Sequence, residues 1–198
     1  MSLPLALARI DQIERALVPQ PVASSTSPSA VAGAGGTASA APVASASFAN
    51  LLGNASGSPM TTIAAAEVGQ SEQPPGSNDS PRIAQYRTAT AGSGAGPWCA
   101  YFVSWVARQA GTPLGDHGEG FGSVDALYAW AQRAGRAIPN GPGVVPRPGD
   151  LIVWNEHIGI VEQVLPDGRI QTLEGNSSDR VSRNVHEFSD ALGFVRMS

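Results

Sequence analysis

The hydrophobic pattern changes character three times along the chain. In residues 1–18, Leu3, Leu7, Ile10, Ile13 and Leu17 fall on one side of a helix, while Arg9, Asp11, Glu14 and Arg15 interrupt the remainder. The spacing predicts a short amphipathic helix suited to docking or export on a partner, because a helix of this length is marginal alone in water. Residues 19–60 lose the pattern and become Ala, Ser, Thr, Gly and Pro with no charge, interrupted only by the small apolar patch Ser47–Leu52. Such a stretch buries too little apolar surface to offset its ordering entropy, which predicts a disordered linker.

A folded domain is expected over 61–198. Thr61-Thr62 is read as the cap of a helix through Ile63 and Val68 that Gly69 stops, and Ser80-Pro81 as the start of a shorter one carrying Ile83 and Tyr86. Residues 96–111 form the clearest helix, with Pro97 at its first position and Phe102, Val103, Val106 and Ala110 as a buried stripe. Ser123 caps another, with Val124, Leu127, Tyr128 and Ala131 facing inward. After the Pro/Gly-rich connection Pro139–Pro148 the period drops to 2, which predicts strands at 151–154, 157–165 and 169–174, with further ones near 181–185 and 193–197. Helices first and an antiparallel sheet afterwards imply an α+β fold, its N-terminal helices packed on the sheet.

Composition removes several classes of function. Sixteen acidic against twelve basic residues give a net charge of −4, so nothing attracts nucleic acid. The single cysteine excludes an intrachain disulfide and any zinc site needing two thiolates, and no HExxH motif is present, so no metal or other cofactor is expected. No run reaches the ~20 apolar residues of a membrane span. Residues 1–18 lack the basic start of a Sec signal peptide, and Arg9, Asp11, Glu14 and Arg15 break their apolar character, so they do not read as a standard secretory signal.

The candidate chemistry centres on that cysteine. Cys99 lies on the apolar stripe at the start of its helix, where unpaired N–H groups favour a thiolate. It reads either as a nucleophile or as a small buried hydrophobe, and the choice depends on whether a histidine and a polar partner can reach it. If Asp167-Gly168 makes a two-residue turn, Val161 lies opposite Glu174 and Gly159 opposite Asn176. His157, Gly159, Val161, Thr172, Glu174 and Asn176 then share one sheet face, and the Cys99 helix is expected to cover it. Thiol, imidazole and either Glu174 or Asn176 would meet at one rim, the set that nucleophilic cysteine catalysis requires.

The order PWCAYFVSWV, RPGDLIVW, HIGIVEQV and TLEGN resembles the CHAP amidase/endopeptidase family, within the NlpC-type and papain-like cysteine peptidases. Residues 68–86, with their PPGSN turn, are similar to the region that precedes the nucleophile in that family. The resemblance spans roughly Thr61 to Met197. It implies a papain-like fold and a peptidoglycan hydrolase that cuts a muramoyl–L-alanine or peptide amide. Carried over, Cys99 is the nucleophile, His157 the base and then the acid, and Glu174 the group that orients it, with Asn176 next. Trp98 and Trp154 would line the substrate groove, whereas Trp105 suits core packing. Some family members bind calcium through an acidic loop before the cysteine, but residues 88–97 hold no carboxylate, so none is expected here. His117, beside Asp116 and Glu119, reads as part of a solvated loop, and His186 as a surface residue. ALARIDQIERAL, the linker and SFANLL resemble the leading segments of flagellum-associated cell-wall hydrolases, which implies a flagellar export or structural partner; a phage origin fits equally. The alternative class is a non-catalytic cell-wall binding or assembly module.

Overall fold

The computed structural model describes residues 57–91 and 94–197. The amphipathic helix expected over 1–18 and almost all of the linker expected over 19–60 lie outside the described residues. The first helix, α1 (Pro59–Ala66), begins two residues inside that linker stretch. Its cap is Ser58, whose hydroxyl accepts from the Met60 N–H, rather than Thr61 or Thr62. The Ser-Pro pair at its start is the same signal that opens α2 (Pro81–Arg87), capped by Ser80.

Helix α3 (Cys99–Gln109) starts at the cysteine itself. Pro97 therefore stands two residues before the helix, and Trp98 takes the cap position without a side-chain cap bond. Helix α4 (Val124–Arg133) is capped by Ser123 as expected. Five of the strands follow the expected segments: β2 (Leu151–Trp154), β3 (His157–Val164), β4 (Ile170–Glu174), β5 (Ser182–His186) and β6 (Gly193–Val195). The sheet is completed by β1 (Ala137–Pro139), a short edge strand unforeseen because it ends in the Pro/Gly-rich connection. The six strands run antiparallel in the order β1-β6-β2-β3-β4-β5, so the described residues form an α+β domain. Among them, no helix is long and apolar enough to cross a membrane.

The β3–β4 register differs from the two-residue turn in an instructive way. The connection is a three-residue loop, Pro166–Gly168, closed by Leu165 N–H donating to Arg169 O and turned by Gly168 at φ 87. A bulge between Val161 and Gln163 then adds a second one-residue offset. Two offsets restore the parity, so His157, Gly159, Val161, Thr172 and Glu174 do share a face. The pairing has nonetheless moved by two residues: Val161 lies opposite Thr172, which brings Gly159 opposite Glu174 instead of Asn176.

The expectation that α3 covers this face is wrong. Phe102, Val103 and Val106 of α3 belong to one core cluster with Leu151, Val153, Ile158, Ile160, Leu173 and Val195, all on the other face of the sheet. The His157 face carries a smaller cluster, Ile152, Val161, Ile170, Ala191 and Phe194. The His157 face also carries buried apolar residues, Ile152 and Val161, so periodicity could not say which face the helix takes.

Helix α3 is held in place by what precedes it. Tyr86 packs against Trp98, Phe102 and Trp105, and its hydroxyl donates to Glu67 at 2.7 Å. Arg82 also binds Glu67, whose carboxyl is opposed by burial but held below the usual range by Arg82 and Tyr86. Residues 69–72 are zipped to the loop after β4 by Gly69 N–H to Val181 O and Glu72 N–H to Asp179 O, both 2.9 Å. The segments flanking the cysteine and the end of β4 are thereby tied together.

Candidate active site

Cys99 is 4% exposed and begins its helix at the wall of a cleft of about 480 Å³. Gly96, Pro97, Tyr101, Gly122, Ser123 and Glu156 also line this cleft. Three other helix starts are closed by a serine hydroxyl, from Ser58, Ser80 and Ser123. The start of α3 has none, so its first-turn N–H groups are not spent on a side-chain cap.

His157 is the first residue of β3, set by the two-residue turn Asn155-Glu156, in which Glu156 has φ 60. Trp154 pairs with it across the turn and stacks on its ring at 5.6 Å between centroids. From the strand end the imidazole feels Cys99, which raises its pKa, without the helix having to cover its face. Nε2 of His157 lies 2.9 Å from Glu174 Oε2. Burial pulls the His157 pKa down, but hydrogen bonding and charge from Cys99 and Glu174 outweigh it and raise it to about 9.

Glu174 is 2% exposed and fully engaged. Oε2 meets His157, while Oε1 accepts from the Thr172 hydroxyl and lies 2.6 Å from Nε2 of His186. Burial raises its pKa, and the bonds from His157, Thr172 and His186 overcome that and hold it at about 2. Space for this carboxylate exists because residue 159 is glycine: a Cβ there would sit 2.7 Å from Glu174 Cγ.

Residues 91–176 match the CHAP domain family model. This span contains Cys99, His157, Glu174 and Asn176. No curated protein and no solved structure gives a significant match.

Within the CHAP span, two expected site residues fall elsewhere. Asn176 has φ 61, lies past the end of β4, and makes no bond to His157; the register shift gives that place to Glu174. Trp98 is wholly buried, its indole N–H donating to the buried carboxylate of Glu72 at 2.9 Å, so it forms core rather than a groove wall. Trp154 is partly exposed, and its ring braces both His157 and His186. His186, expected at the surface, is partly exposed but contacts Glu174, and it lies outside the matched span. The alternation of Ser182, Asn184 and His186 along β5 is the signal that could have found it, since paired strands place that row beside Thr172 and Glu174. The loop of His117 is pinned by Trp130 Nε1–H donating to Asp116 and by Gly120 N–H to Leu114 O.

Proposed function

We propose that this protein is a cysteine-dependent peptidoglycan hydrolase, cutting a muramoyl–L-alanine amide or a peptide bond in the wall's peptide part. The observation that carries the reading is the 2.9 Å contact between Nε2 of His157 and the buried carboxylate of Glu174, on an imidazole whose pKa both Cys99 and Glu174 raise. The CHAP match supports a cysteine-hydrolase chemistry in general, and peptidoglycan is the substrate on which CHAP domains generally act.

In the proposed reaction the sulfur of Cys99 attacks the amide carbonyl carbon as His157 takes the thiol proton. The first-turn N–H groups of α3 stabilise the oxyanion. His157 donates its proton to the leaving amine, the C–N bond breaks, and a thioester to Cys99 remains. Water then attacks the thioester as His157 takes one of its protons, releasing the carboxylic acid and restoring the thiol. Glu174 keeps Nε2 of His157 protonated and leaves Nδ1 to serve the sulfur. Residues 1–18 would dock the enzyme on an export or structural partner before it reaches the wall.

Incubating the purified protein with murein sacculi and following new amino groups, with mass spectrometry of the products, tests the reading and identifies the bond. New amines that disappear in Cys99→Ala are expected. Sacculus binding with no new amines from the folded wild-type protein would favour the non-catalytic module instead.

A further inference from the structure

His186 does not belong to the matched CHAP span, yet it contacts the carboxylate that holds His157. Its Nε2 is 2.6 Å from Oε1 of Glu174, its ring lies 4.6 Å from that of Trp154, and it is only partly exposed. It sits on the edge strand β5 opposite Ile170, so its side chain must lean along the sheet to reach Glu174. Thr172 donates to the same oxygen. A carboxylate with both donors on Oε1 cannot rotate freely about its terminal torsion, and its other oxygen is left pointing at His157.

We propose that His186 is a positioning residue for the reaction assigned above: by holding Oε1 of Glu174, it fixes Oε2 against Nε2 of His157. It does not touch the scissile bond and exchanges no proton with substrate. The groups facing it are Glu174, Trp154 and, through Glu174, His157. Geometry distinguishes this role from simple packing, because the hydrogen bond and the ring contact to Trp154 can be removed separately. His186→Phe keeps an aromatic ring on Trp154 and removes the donor. His186→Gln removes the ring and keeps an N–H donor.

The test measures steady-state hydrolysis of sacculi by the full chain, together with the titration of His157 by NMR in each variant. The Phe variant should lower kcat roughly 10-fold, the scale at which orienting partners act, with KM changed less than about twofold. Its His157 should titrate at lower pH than in the wild type, because a Glu174 free to turn away supports the imidazolium less. The Gln variant should stay close to wild type in both. An unchanged or raised His157 pKa in the Phe variant, or a Gln variant that loses as much as Phe, overturns the proposal. Because the titration needs no substrate, a wild-type protein that leaves sacculi intact would defeat the hydrolase reading while the role of His186 is still judged.

Discussion

The two faces of the β3–β4 hairpin do different work with alternate residues of the same strands. One face, through Ile158, Ile160 and Leu173, is apolar and lies under α3, so it sets where Cys99 stands. The other carries His157, Thr172 and Glu174, joined by His186 from β5, and sets how the imidazole is held. The faces meet only at the strand end, where His157 and the start of α3 are neighbours. A close approach on the helix side shows how tight the joint is: a Cβ on Gly175 would lie 2.5 Å from Cβ of Phe102. Position of the nucleophile is thus a packing property, and protonation of the base is a polar one.

Substitutions on the two faces should therefore separate activity from stability. Cys99→Ala should reduce hydrolysis at least ~10³-fold while leaving the fold intact; assay with thermal unfolding checks both. Glu174→Gln should reduce kcat about 10²- to 10⁴-fold by releasing the orientation and protonation of His157, and a residual rate close to wild type would break the polar-face assignment. Ile160→Ala, on the helix side, should cost about 2–5 kcal/mol of stability through the cavity it leaves, measured by urea unfolding. Its kcat per folded molecule should be retained, and a specific loss of kcat would show that the faces are not separable. Asn176→Ala should do least to activity, with kcat unchanged since it holds no bond to the histidine, while its left-handed backbone at φ 61 should cost about 1–2 kcal/mol of stability in an alanine variant.

Much of this arrangement is legible in the amino-acid sequence. Ser80 and Ser123 announce their helices, and the strand-like segments announce five strands. The Ser-Pro signal at Ser58-Pro59 was present too, but was lost in a stretch rich in the same residues. The shared face of His157 and Glu174 was correct because two register offsets cancel in parity. The family resemblance ranks Glu174 ahead of Asn176, but register alone favours Asn176, because the bulge between Val161 and Gln163 leaves no local mark. The buried role of Trp98 depends on Glu72, twenty-six residues earlier, a distance over which pattern carries no information. Each face of the sheet carries a cluster of buried apolar residues, so only three-dimensional packing decides which one the helix covers.

The pH behaviour follows from the same two groups. His157 is raised from 6.5 to about 9, so the stability it contributes is full below 6.5 and is lost as pH rises through about 9. Glu174 is lowered from 4.5 to about 2, so its contribution is full above 4.5 and is lost as pH falls towards 2. The central claim, that Cys99 and Glu174 act together on one imidazole, is tested most directly by following the His157 ring by NMR across pH in the wild type and in Cys99→Ala. A wild-type pKa of about 9 that drops when the sulfur is removed is expected. Titration near 6.5 in both proteins would contradict it.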